Sequence, residues 1–342
     1  MLSNNSASLA ASEPAVSTPK DTPTPEEQLS ALTALCKASA DSLRLLVLRV
    51  LSQDSFGVSE LCFLFEIRQP ALSHHLKVLA NAGLVAARRE GNSIFYRRAE
   101  LGQQAALDAL QHSIYETVDT IPLPPSVAKR LKELHQQREA NSSSFFRLNA
   151  QKFRQQQDLI ASYEQYADVV SEVLKDAPLK HYRTALEVGP GDGSFLAELS
   201  PVFEQVIALD NAPSMLQQAR EKSASARLHN ITFIEGDTRH PRIESLQADC
   251  VVMNMVLHHT PAPGAVLQDV ASCLAPQGVL LVTELCNHDQ GWARENCGDL
   301  WLGFDPQDLA QWATEAGMTD IASVFLAQRN GFQVQVRLFG RP

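Results

Sequence analysis

The stretch Ala185-Leu186-Glu187-Val188-Gly189-Pro190-Gly191-Asp192-Gly193 decides how the larger part of this chain folds. Its apolar beginning reads as a strand, and three glycines at alternate positions close that strand and open a helix expected over 194–200. Glycines let a backbone approach a ligand, and the amides at a helix start favour a negative group such as a carboxylate. Gly189, Gly191 and Gly193 spell GxGxG, whereas the dinucleotide fingerprint asks for Gly or Ala at 194, where Ser194 stands.

Toward the carboxyl terminus the strand–helix grammar continues. Strands are expected over 206–209, 231–234, 250–253 and 279–283, which implies a parallel sheet covered by helices on both faces. Polar residues gather where these strands end. Asp210 is placed to accept hydrogen bonds from both ribose hydroxyls. Asp237 and Thr238 follow the third strand, and Asn254 opens the run to His258 and His259. Together they indicate nucleoside binding. Histidine as a residue type titrates near neutrality, which makes His258 and His259 candidates to deprotonate an acceptor; the alternative is a pair of helix-start residues, one of them buried and neutral.

Toward the amino terminus the grammar is helical. Apolar residues recur at helical spacing from Glu26 (Leu29, Leu32, Leu35, then Leu43, Leu46, Val47, Val50), with Asp41 as a helix cap. Helices are expected over 58–66 and 70–82, then two short strands over 84–89 and 93–98 around Glu90-Gly91-Asn92. On the second of these helices Leu72, Leu76 and Leu79 share one face, and Gln69, Ser73, His74 and Lys77 point the other way, suited to base edges and phosphates. The hairpin carries Arg88, Arg89, Arg97 and Arg98 against Glu90. A helix, a turn, a second helix and a basic hairpin form a winged DNA reader, with Gln69, Ser73, His74, Lys77, Arg88 and Arg89 as its expected contacts. Further helices are expected over 101–119 and 127–139, and helical spacing resumes over 145–174.

Composition agrees. A length of 342 residues suggests two domains. The net charge of −10 sits almost wholly in residues 181–342, which hold 10 basic and 19 acidic residues, so the first half is nearly neutral. A local basic element still meets DNA, because salt screens charges beyond about 10 Å. There is no apolar run of spanning length and no basic start with an apolar core, so a cytoplasmic protein without a membrane partner is expected. The six cysteines form no C-x-x-C pair, and neither a disulfide framework nor a zinc ribbon is indicated. Asp108, His112 and Glu116 at i, i+4, i+8 are weighed as a metal site against ordinary solvated side chains, and no metal is expected.

Ser59-Glu60-Leu61-Cys62 followed by Gln69-Pro70-Ala71-Leu72-Ser73-His74-His75-Leu76-Lys77-Val78-Leu79-Ala80-Asn81-Ala82-Gly83-Leu84-Val85 resembles the ArsR/SmtB winged-helix repressors over about 28–119. The resemblance implies a dimer, paired through terminal helices, that releases DNA when an effector binds. Metal-sensing members carry a second cysteine and an acid where this chain has Leu64 and Phe65, so soft-metal sensing through Cys62 is disfavoured. The ordered set around the glycine loop resembles class I S-adenosylmethionine-dependent methyltransferases over about 163–339, nearest the quinone-biosynthesis branch. By that resemblance Glu187, Gly189, Gly191 and Gly193 hold the methionine part and Asp210 the ribose. Asp237 and Thr238 hold the adenine, Asn254 forms the edge of the fourth strand, and Tyr166 closes the pocket. Cys286 and Cys297 do not reproduce the four cysteines of thiol-dependent arsenic methylation.

The expectation is therefore a multidomain protein: a disordered tail over 1–25, a mostly α winged helix-turn-helix with a small β wing over 26–119, a helical link over 120–162, and an α/β Rossmann-like methyltransferase domain with a mostly parallel sheet over 163–342. Fused regulators of this kind resemble those of the methionine and S-adenosylmethionine cycle. The expected function is a homodimeric repressor on a double-stranded operator, with S-adenosylmethionine or S-adenosylhomocysteine as effector. The alternative is an active S-adenosylmethionine-dependent methyltransferase of a small molecule with an autoregulatory DNA-binding domain.

Overall fold

The computed structural model describes residues 24–52, 54–90, 93–99 and 105–342. Most of the expected tail and the hairpin residues Gly91 and Asn92 therefore lie outside the described residues. Helix α1 (Pro25–Ser39) starts with a capping box in which Thr24 Oγ1 accepts from Glu27 N–H and Glu27 Oε2 accepts from Thr24 N–H. Asp41 caps α2 (Ser42–Val50) as expected. The two-residue strand β1 (Phe56–Gly57) leads into α3 (Val58–Phe65) and α4 (Gln69–Asn81). Gly83, with φ +71°, turns the chain into β2 (Val85–Glu90), which pairs antiparallel with β3 (Ser93–Arg98). Helix α5 (Ala105–Asp119) closes this unit around Leu48, Leu61, Leu64, Leu72, Leu76 and Leu79, all fully buried.

Helix α6 (Pro125–Gln157) is one continuous element. Two helices parted near 140–144 were expected from the polar run Ala140-Asn141-Ser142-Ser143-Ser144. The helix runs through because neighbours on both sides hold it, overriding weak local propensity. The break falls instead at 158–162, ahead of α7 (Tyr163–Lys175).

The remaining elements are β4 (Thr184–Val188), α8 (Leu196–Leu199), β5 (Gln205–Asp210), α9 (Pro213–Ser225), β6 (Ile231–Glu235), α10 (Pro241–Glu244), β7 (Ala248–Asn254), α11 (Pro263–Cys273), β8 (Leu274–Leu285), α12 (Trp292–Cys297), α13 (Pro306–Glu315), β9 (Thr319–Ala327) and β10 (Gln333–Gly340). A 3₁₀ turn, Leu257–His259, follows β7. The seven strands lie in the order β6-β5-β4-β7-β8-β10-β9. The first five are parallel, and β10 runs antiparallel to both its neighbours. Strand order reverses at β4, whose neighbours are β5 and β7. A crevice therefore opens beyond the carboxyl ends of these strands, where sheets of this kind hold ligands.

The wing packs on the sheet domain. Phe95 of β3 meets Trp301 edge-on at 5.7 Å and joins the apolar cluster on that face of the sheet. Among the described residues, no helix is long and apolar enough to cross a membrane.

Candidate functional site

The crevice is a cavity of about 340 Å³. Its floor is the glycine loop, in which Gly189, Gly191 and Gly193 all have positive φ. A Cβ on Gly189 would lie 2.5 Å from Val256 Cγ2, and one on Gly193 would lie 2.9 Å from the backbone of Ala219, so both close approaches require glycine. Asp192 braces the loop: its carboxylate accepts from Ser194 N–H at 3.0 Å and from Lys222 Nζ at 2.9 Å.

Glu187, at the end of β4, is fully buried, and its Oε2 has no hydrogen-bond partner among the described residues. Burial, aided by Asp192, pushes its carboxyl up to about 8, with Asn254 opposing. Asn254 accepts from Thr283 Oγ1 at 2.7 Å, and its buried Nδ2 has no hydrogen-bond partner among the described residues. Asp210 accepts from Ala212 N–H at 2.8 Å, and burial pushes it up to about 6 against the help of backbone amides. Tyr166 is buried on α7 on the cavity wall, its ring edge-on to Tyr163 at 5.8 Å.

Asp237 and Thr238 reach the cavity with their polar groups partly engaged. Asp237 pairs with Arg239 at 2.8 Å, and Thr238 Oγ1 donates to Asp269 at 2.6 Å. Asp269 of α11 therefore belongs to the same wall, as does Tyr163; neither was expected from the sequence. Tyr163 was legible as part of a Tyr-x-x-Tyr pair on one helix face, but Asp269 carries no local signal.

The two histidines part company. His259 lines the cavity, edge-on to Phe146 at 5.0 Å, and burial and the neighbouring His258 hold it well below its ordinary value. His258 lies behind the wall, wholly buried, with Nδ1 2.7 Å from Glu284 Oε2. Burial pulls its pKa down, but Glu284 and Asp299 outweigh that and raise it to about 9.

One face of α6 roofs the cavity with His135, Glu139, Ser142 and Phe146. The same helix grips the winged unit. Arg138 donates to Glu60 of α3 at 2.7 and 3.0 Å and to Pro261 O at 2.7 Å, while Arg130 donates to Leu64 O at 2.7 Å. His135 Nε2 stands 3.3 Å from Asp54.

On α4 the leucines face inward, and Gln69, Ser73, His74 and Lys77 are exposed, as their spacing implies. The wing arginines do not form one basic face. Arg88 donates to Gly303 O at 3.1 Å and stands 3.6 Å from Asp308, which Arg97 also holds. Arg98 is buried, bidentate on Asp119 at 2.6 and 2.8 Å, over the ring of Tyr115. The expectation of Arg88 on the DNA side is corrected here: the pleat alternates, so residues 88 and 97 face the sheet domain while Arg89 faces out.

A family model described as "Methyltransferase domain" matches residues 151–335, and one described as "Bacterial regulatory protein, arsR family" matches residues 41–87. The biofilm growth-associated repressor of Agrobacterium fabrum is 41% identical over 88 residues, 26% of this chain and 75% of that protein. The ubiquinone biosynthesis O-methyltransferase of Xanthomonas axonopodis pv. citri is 28% identical over 153 residues, 39% of this chain and 61% of that protein. Among solved structures, the N-methyltransferase NodS of Bradyrhizobium japonicum in complex with S-adenosyl-L-homocysteine has a TM-score of 0.44 at 16% identity, covering 56% of this chain and 98% of that one.

Proposed function

Because this chain belongs to the methyltransferase-domain family and carries an arsR-family regulatory domain ahead of it, we propose that it is a DNA-binding repressor controlled by S-adenosylmethionine or S-adenosylhomocysteine in the cavity. The division is a winged domain over 26–119, a helical link over 120–162 and a methyltransferase domain over 163–342. The observation that carries this is α6: His135, Glu139, Ser142 and Phe146 wall the cavity, while Arg130 and Arg138 of the same helix hold the helix-turn-helix. A ligand that bears on one face of this helix bears on the DNA reader through the other.

The cavity of about 340 Å³ suits one adenosyl amino acid, at the low end of the roughly 300–1,000 Å³ typical of small-ligand pockets. Glu187 receives the ammonium group, the glycine loop admits the methionine part, Asp210 takes the ribose hydroxyls, and Asp237, Thr238 and Asp269 meet the adenine. Gln69, Ser73, His74 and Lys77 read the duplex, with Arg89 on backbone phosphate. Leu29 and Leu32, exposed apolar residues on α1, support pairing of two chains through terminal helices. Control of methionine-cycle genes fits an effector of this class. Calorimetry of the full chain with each adenosyl compound tests the binding step: one molecule per chain is expected, and uptake of neither overturns the proposal.

A second reading has one observation in its favour. His259, held neutral on the cavity wall, is able to accept a proton from an acceptor whose atom is aligned with the sulfonium. Transfer of a radiolabelled methyl group to a small molecule would establish that activity, and a His259→Ala variant would slow it.

A further inference from the structure

Where the 3₁₀ turn after β7 meets the loop after α12, His259 on the cavity wall and His258 and Asp299 behind it offer donor atoms that all lie within 4.8 Å of one another. All three residues are buried. His258 Nδ1 stands 2.7 Å from Glu284 Oε2 and gives that carboxylate its N–H, so Nε2 is the ring nitrogen left facing Asp299. Nε2 is 3.9 Å from Asp299 Oδ1, and His259 Nδ1 is 3.9 Å from the same oxygen and 3.3 Å from Gly298 O, a contact that an ion held through Nδ1 would displace. The two 3.9 Å separations are too long for hydrogen bonds. Neither His258 Nε2 nor either oxygen of Asp299 has a hydrogen-bond partner among the described residues. An imidazole nitrogen and a carboxylate without hydrogen-bond partners, facing each other in a dry interior, are costly unless a proton or a metal cation lies between them.

We propose that His258, His259 and Asp299 bind one divalent first-row metal ion of the zinc class. Two imidazoles and one carboxylate are the donor set such ions accept, with a position left for water or another ligand. Glu284 is the outer-shell carboxylate that orients the His258 ring and raises its basicity. Tetrahedral N and O ligands at about 2.0–2.2 Å from zinc lie roughly 3.4 Å apart, so the two 3.9 Å edges must each shorten by about half an ångström and the edge between the histidines, within 4.8 Å, by up to about 1.4 Å. The backbone supports this positioning: Leu300 N–H and Trp301 N–H both donate to His258 O, at 2.9 and 3.2 Å, pinning the Asp299 loop to the histidine turn. Cys297, two residues before Asp299, donates its thiol to Gln156 O and stands outside the donor set. The site is separate from Asp108, His112 and Glu116 on α5 and from the cysteine positions of soft-metal sensing.

The ion would tie the turn after β7 to the loop on which α6 rests. Phe145 of α6 packs where a Cβ on Gly298 would fall, at 2.3 Å. Metal occupancy and adenosyl-ligand occupancy are distinct events, and the first is measured without the second.

The test uses the full chain, stripped with chelator and titrated with Zn²⁺ by calorimetry, with Co²⁺ as a spectroscopic stand-in. The expected result is one ion per chain, a rise in melting temperature on loading, and a cobalt spectrum with no thiolate charge-transfer band. Asp299→Asn should weaken binding at least 100-fold and abolish the melting shift. Glu284→Gln should weaken it about 10- to 100-fold and keeps the test open if the first variant fails to fold. His112→Ala should change nothing. No stoichiometric uptake by the unaltered chain, undiminished uptake by Asp299→Asn, or sulfur among the ligands would overturn the proposal.

Discussion

Glu187 shows how one residue links burial to binding. Burial, with Asp192 close by, raises its carboxyl to about 8, so it carries a proton at pH 7. A ligand ammonium favours the carboxylate, so uptake of an adenosyl amino acid at pH 7 should expel a proton. Affinity should rise with pH toward about 8 and fall again at higher pH as the ligand ammonium loses its proton. Calorimetry in buffers of different ionisation enthalpy reads the proton directly, and binding without proton release would contradict this role. For stability the sign is opposite: the fold is favoured while Glu187 keeps its proton and loses that advantage as pH climbs from the ordinary 4.5 through about 8. Arg98 makes a different point. It looked like part of a basic run, yet it is 3% exposed and bidentate on Asp119. Arg98→Ala should destabilise the winged unit by about 3 kcal/mol, seen as a lower denaturation midpoint; an unchanged midpoint would place the pair among inert surface ion pairs.

At the scale of elements, the glycine loop, the acids ending β4, β5 and β6, and the apolar face of α4 were legible because each rests on local period or spacing. The wing was legible as a hairpin but not as to which face meets what, since a strand's alternation marks two faces without naming their partners. The sheet was expected to be mostly parallel, but strands β9 and β10 were not placed individually, although Gln333-Val334-Gln335-Val336 alternates plainly; alternation marks a strand without naming the neighbour it pairs with. Asp308 holds Arg88 and Arg97 on the sheet domain. Asp308→Asn should release both toward phosphate and steepen the dependence of log affinity for DNA on log salt by about 1 to 2. Arg89→Ala should flatten that slope by about 1. Unchanged slopes in both variants would remove the wing from the DNA interface.

Across the whole molecule, the continuity of α6 joins the two halves, and sequence reading divided that helix because its middle is polar. Arg138 is the junction: its guanidinium joins Glu60 of the winged unit to Pro261 beside the cavity. Arg138→Met should leave adenosyl-ligand affinity near its original value while bringing the effect of ligand on DNA affinity toward unity. A ligand response intact in that variant would move the coupling elsewhere. Coupling of this kind is a free energy, typically about 1–3 kcal/mol or roughly 5- to 150-fold in affinity, and it exists only if the ligand binds the free and DNA-bound forms unequally. The direct measurement is a titration of the chain onto the DNA upstream of its own gene, at fixed salt, with and without saturating S-adenosylmethionine and S-adenosylhomocysteine. The account predicts that at least one of them shifts the DNA affinity at least fivefold; identical isotherms in all three conditions would contradict it.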